Sequence, residues 1–211
     1  MKNDKIKNII FDLGDVILNI DVPLASLSFA DLSGKDQKEV LTIFRENDVF
    51  RQFETGFLSE ADFRNFVRSI LNNNEWDDHI IDKAWNSLLL DLPLERVELL
   101  KKLSQSYRLF LLSNTSSIHI TQVHKILHAA TGIEKLDDLF EKVYLSYEMG
   151  LMKPDIRIYQ QVLDDSGLSA EETIFLDDNL DNINGAAKLG IEAIHVQKPL
   201  TILDYLKDYA V

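Results

Sequence analysis

The sequence predicts an α/β protein: a doubly wound parallel sheet in an α/β/α sandwich, with a helical bundle inserted after the first strand. Three observations carry this expectation. Ile9-Ile10-Phe11-Asp12 is an apolar run typical of a strand buried on both faces, and it closes on a carboxylate followed by Gly14. Three later segments repeat that grammar: 109–112 ends in Ser113-Asn114, Lys153-Pro154 follows the strand candidate 142–146, and 173–178 ends in Asp177-Asp178. Between the first strand and these segments, 23–92 shows helical periodicity and no convincing strand.

Taken in order, the insert reads as four amphipathic helices at 23–32, 36–46, 59–71 and 76–89, with Ser59 and Asp62 as a variant capping box. Regular alternation follows: helix 94–104, strand 107–112, helix 116–129, strand 142–146, helix 155–165, strand 173–177, helix 179–189, strand 191–196 and helix 199–208. Strands alternating with helices imply a parallel sheet covered on both faces. Gly167 and Gly190 stand where helices need a C-terminal cap.

Composition narrows the function. The 211 residues carry 45% hydrophobic and 27% charged side chains, the profile of an ordinary globular protein. No run approaches the roughly 18 apolar residues of a membrane span, and the polar start has no signal-peptide character, so a cytoplasmic location without membrane contact is expected. With no cysteine, thiolate zinc sites and a cysteine nucleophile are excluded. A formal charge of -13 disfavours nucleic acid and repels phosphate esters over distance, so any phosphate site needs local cations. Neither GxGxxG nor GxxxxGK[ST] occurs, and the helical pair His124 and His128 lacks the glutamate of a zinc hydrolase.

In open parallel sheets ligands bind outside the carboxyl ends of the strands, so Asp12 is positioned for chemistry. A second acid, Asp178 beside Asp177, completes the carboxylate pair that a hard divalent ion such as magnesium takes. Ser113-Asn114 offers a hydroxyl and the amides of a beginning helix to an anion.

The four strand endings, in this order, resemble the haloacid dehalogenase superfamily of hydrolases over 1–20 and 95–211, with 21–94 as its type 1 helical cap domain. The wording FDLGDVI, LLSNT, LMKPDIRIY and FLDDNLDNINGAAKLGI is most similar to the subgroup containing the bacterial alpha-D-glucose-1-phosphate phosphatase. The resemblance implies a phosphatase for a small phosphate ester, such as a sugar phosphate. In it Asp12 is the nucleophile that becomes an aspartyl-phosphate, and Lys153 balances charge between Asp12 and the phosphoryl group. Ser113 and Asn114, with Lys153, bind the phosphate; Asp12, the Gly14 carbonyl and Asp178 hold magnesium. The segment 44–63, with Glu54 and Gly56, is where substrate contacts from the cap are expected.

One departure matters. Phosphatases of the superfamily usually carry an acid two residues after the nucleophile, where this chain has Gly14 and then Asp15. The general acid is therefore unassigned, and Asp15 serves either as that acid or as a turn residue. Two other readings stay open: a 2-haloacid dehalogenase, which needs no metal, and a weakened binding or regulatory protein. The oligomeric state is not legible.

Overall fold

A computed structural model describes residues 3–210. Five strands, β1 (Asn8–Phe11), β2 (Arg108–Ser113), β3 (Lys142–Leu145), β4 (Thr173–Asp177) and β5 (Glu192–His195), form one sheet in the order β3-β2-β1-β4-β5. Every pairing is parallel. The chain runs outward from β1 through β2 to β3, then crosses back to β4 on the other side. That reversal makes a crevice beside the carboxyl end of β1. Register brings the strand ends together: Phe11 sits opposite Leu111 and Leu176, so Asp12 emerges level with Leu112 and Asp177.

Alternation along the strands loads both faces. Ile9, Phe11, Leu109, Leu111, Ile174 and Leu176 meet α6 (Leu94–Leu103), α7 (Ser117–Thr131) and α11 (Ile202–Tyr205). Ile10, Phe110, Leu112 and Phe175 meet α9 (Ile156–Ser166) and α10 (Leu180–Ala187) on the opposite face. The residues that build the sheet are thus the ones that hold its polar ends in place.

The inserted helices are α1 (Pro23–Ser33), α2 (Gln37–Glu46), α3 (Val49–Glu54), α4 (Glu60–Ile70) and α5 (Asp78–Trp85). They bury a separate apolar cluster that includes Phe29, Val40, Phe53, Phe63 and Trp85, joined by Ile118 from α7. Phe53 and Phe63 stack with centroids 4.2 Å apart and planes 11° apart. The two chain crossings run side by side: Asn19 N–H donates to Asp91 C=O at 3.0 Å, and Asp21 N–H to Leu88 C=O at 2.9 Å.

Several expected boundaries shift, each for a local reason. α5 starts at Asp78 because the Asp77 carboxylate caps it, accepting from Ile80 N–H, and its end tightens into a 3-10 turn, Asn86–Leu88. α3 was not expected; six residues are too few to display a period. β3 stops at Leu145 because Ser146 begins a short helix, α8 (Ser146–Met149). β5 starts at Glu192, and α11 is four residues long, opened by a Thr201–Asp204 capping box, where 199–208 was expected. At α4 Ser59 caps Asp62 N–H as expected, but the Asp62 carboxylate takes the Ser59 hydroxyl at 2.6 Å instead of its backbone amide.

Candidate active site

Asp12 leaves β1 with its N–H donating to Leu176 C=O at 2.8 Å, which holds its backbone in line with the sheet. Beside it, Lys153 is buried, with 1% of its side chain exposed. The ammonium donates to Asp12 Oδ1 at 2.7 Å, Asp177 Oδ2 at 2.6 Å and Leu112 C=O at 2.8 Å. All three of its protons are used. Burial works against the charged amine, but Asp12 and Asp177 hold its pKa above the ordinary value.

Asp177 is wholly buried and fully engaged. Its oxygens accept from Lys153, from Asn179 N–H at 2.8 Å and from the Asn182 amide at 3.0 Å. Asp178 is half-buried, its carboxylate has no side-chain partner among the described residues, and His195 Nε2 lies 2.8 Å from its carbonyl. A cavity of about 220 Å³ lined by Asp15, Asp178, His195 and Lys198 opens beside it.

Three carboxylates against one ammonium leave this corner anionic. Burial pushes the Asp12 carboxyl up to about 7; Lys153 pulls it down and Asp177 pushes it further up. Asp178 is also raised, by burial first and then by Asp177 and Asp15. Oxygens of Asp12, Asp177 and Asp178 lie within 4.8 Å of one another. The Gly14 carbonyl nearby accepts no hydrogen bond among the described residues. An all-oxygen, excess-anionic set of this kind fits a hard divalent cation.

Ser113 ends β2 buried, its hydroxyl without a partner among the described residues. Asn114 behaves differently. Its Oδ1 accepts from Lys153 N–H at 2.8 Å and its Nδ2 donates to Lys153 C=O at 2.9 Å, so the amide staples the lysine loop. Nor does the helix begin at Asn114: Ser116 is the N-cap, and its Oγ accepts from His119 N–H and from Trp85 Nε1–H.

Asp15 sits in a left-handed turn at φ 54°, donating its N–H to Leu18 C=O at 2.7 Å. Its carboxylate accepts from Ile20 N–H at 3.2 Å and pairs with Lys198 at 2.8 Å. These contacts match the turn alternative. Asn182 and Ser146 were not recognised as scaffolding: Asn182 turns back onto Asp177 only once the loop after β4 has folded, and the partners of Ser146 are distant in sequence. Ser146 Oγ accepts from Thr115 N–H at 2.9 Å and donates to Glu54 C=O at 2.6 Å, joining the insert to the strand ends.

The site and sheet together define a class. A family model described as haloacid dehalogenase-like hydrolase matches residues 6–190. The chain belongs to that family and is a hydrolase. Among named relatives, a D-ribitol-5-phosphate phosphatase of Bacteroides thetaiotaomicron is 32% identical over 187 residues, covering 89% of this chain and 90% of the relative. The crystal structure of a family enzyme from that organism superposes with a TM-score of 0.89 at 35% identity, covering 95% of this chain and 98% of the other. A crystal structure of the wild-type form of that enzyme, in complex with magnesium and inorganic phosphate, gives a TM-score of 0.83 at 36% identity, covering 92% and 96%.

Proposed function

We propose that this chain hydrolyses the phosphomonoester of a small sugar or polyol by way of an aspartyl-phosphate on Asp12. The observation that carries this reading is the buried lysine clasped by carboxylates at the switch point of the sheet. Lys153 holds the Asp12 carboxylate in one orientation and offsets its charge, so an anionic phosphoryl group is able to approach. Attack on phosphorus forms the Asp12–O–P bond and expels the alcohol. Water then attacks phosphorus, releasing phosphate and the free carboxylate.

Asp12, the Gly14 carbonyl and Asp178 would hold magnesium, which supplies positive charge against the transferring phosphoryl oxygens. Asp177 and Asn182 brace Lys153 from behind, and Asn114 fixes its backbone. The free Ser113 hydroxyl is suited to a phosphate oxygen. The helices of 21–94 serve as a cap over the strand ends, and Ser146 and Glu54 lie on the seam. The named relative, a ribitol-phosphate phosphatase, favours linear sugar or polyol phosphates as the first to try.

The anionic corner weighs against a metal-free dehalogenase. Three acids around one lysine repel a haloacid carboxylate, and such a reaction gains nothing from the acids beyond Asp12.

The test is phosphate release from a panel of sugar and polyol phosphates, with magnesium and with chelator. Activity is expected with magnesium only, and Asp12→Asn should lose more than about a thousandfold in turnover while remaining folded. Full activity in chelator, or a working Asp12→Asn, would end this reading.

A further inference from the structure

An alkoxide is a poor leaving group, so hydrolysis of a sugar or polyol phosphate needs a proton delivered as the P–O bond breaks. Among the groups around Asp12, Asp178 is taken by the cation and Ser113 by a phosphate oxygen in the reading above, and the others are not placed to give it. Gly14 carries no acid, and the space its Cβ would take is occupied by the tip of the Ile20 side chain, Cδ1 at 2.7 Å. Asp15 is held by Ile20 N–H and Lys198, and the Lys153 protons are all engaged.

We propose that Glu54, at the C-terminal end of α3, is the general acid of the first step and the general base of the second. This deepens the phosphatase reading and rests on it.

Two close approaches seat Glu54 against the strand ends. Its carbonyl accepts the Ser146 hydroxyl at 2.6 Å, and the same hydroxyl oxygen accepts Thr115 N–H at 2.9 Å. Thr115 follows Ser113-Asn114 directly, so Glu54 lies two hydrogen bonds from the carboxyl end of β2, the neighbour of the strand that bears Asp12. Two residues on, Gly56 has φ +74°, and a Cβ there would stand 2.0 Å from Tyr147 C=O. No side chain fits between that segment and the core.

The side chain itself is half-buried and makes no hydrogen bond or ion pair among the described residues. Glu60, also on the insert side of the seam, is by contrast committed to Ser117 and Arg64. A carboxylate partly withdrawn from water without a partner loses hydration that nothing replaces, so its charged form is disfavoured. Burial alone pushes the Glu54 carboxyl up to about 7, which leaves it able to give and take a proton near neutrality.

In the first step the P–O bond to Asp12 forms and the ester P–O bond breaks; the departing oxygen takes the Glu54 proton and leaves as alcohol. In the second step the Glu54 carboxylate takes a proton from water as the water oxygen bonds phosphorus. The Asp12–O–P bond then breaks, and both carboxyl groups return to their starting states.

The experiment compares alkyl with aryl phosphates in Glu54→Gln. kcat/KM for a sugar or polyol phosphate should fall by about a hundredfold to ten-thousandfold, and for p-nitrophenyl phosphate by less than about tenfold, since its leaving oxygen needs little protonation. Glu54→Asp should recover part of the alkyl rate. Equal losses for both esters, or alkyl rates within about threefold of wild type, would overturn the assignment. The wild-type chain gives an independent reading: a weak dependence of rate on leaving-group pKa is expected, and a steep one overturns it. If the wild type releases phosphate from no ester, the phosphatase reading fails and Glu54 with it. Normal wild-type and Asp12→Asn behaviour beside an indifferent Glu54→Gln removes Glu54 alone.

Discussion

Lys153 and Glu54 are ionisable groups with opposite circumstances. Lys153 is enclosed and fully paired, so removing it strands Asp12 and Asp177 as buried charges. Lys153→Met should cost about 3–5 kcal/mol in urea denaturation at pH 7 in chelator, with part of the loss recovered at lower pH as Asp12 takes up a proton. A loss under about 1 kcal/mol would show that the carboxylates relax without it. Glu54 has no partner to lose. Its carboxyl moves from 4.5 to about 7 on folding, so the folded state prefers the proton. The associated stability is present below 4.5, declines as pH rises and is gone above about 7. Glu54→Gln escapes that decline. Its stability relative to wild type should climb between pH 4.5 and pH 7, by on the order of 1–3 kcal/mol, in melting curves taken across that range. Parallel curves would mean that the carboxylate is better solvated than its position suggests.

Among the elements, the short α3 forms one junction of the seam. It is six residues long, capped at its C-terminal end by Thr55 N–H, and followed by the left-handed Gly56. Gly56→Ala would strain the turn and press a methyl group into the Tyr147 carbonyl, so the seam must open. We expect sugar-phosphate turnover to fall at least about tenfold, with a stability loss of about 1–3 kcal/mol. Unchanged kinetics would show that the seam tolerates movement. The N-terminus of α7 provides the second junction, where His119 stacks on Trp85 with centroids 4.8 Å apart and its Nδ1 lies 2.9 Å from Asn86 Oδ1. Burial lowers the His119 pKa to about 3, so this contact stays neutral at any working pH. The His119–Trp85 contact is therefore one of packing, beside the hydrogen bonds that Ser116 makes with Trp85 and Ser117 with Glu60.

For the whole molecule, a net charge of -13 faces a substrate of the same sign. The local lysine acts only at contact, while the field acts at longer range and is screened beyond about 8–10 Å at physiological salt. Raising salt from low to physiological concentration should therefore lower KM for a phosphate ester and leave kcat largely unchanged, read from steady-state kinetics at fixed free magnesium. A KM that rises with salt would point to an attractive field that the composition does not contain. No helix among the described residues is long and apolar enough to cross a membrane.

The sequence by itself determined the α/β class, the five strands and the strand-end residues, because a buried strand advertises itself as an apolar run and a polar residue at its end has few other reasons to be there. Asp12, Ser113 and the Asp177-Asp178 pair were legible on those grounds, and Lys153 only through the family resemblance; the sheet places Asp12, Lys153 and Asp177 in contact. Only the tertiary structure decided which acid serves which neighbour. Asp177 and Asn182 are five residues apart, but Asn114 meets Lys153 across 39 residues and Lys153 meets Asp12 across 141. Such pairings depend on strand order and register, which leave no local periodicity. The burial of Glu54 is likewise invisible in the chain, since it arises where the short α3 is held against the start of α8 by a hydroxyl 92 residues away.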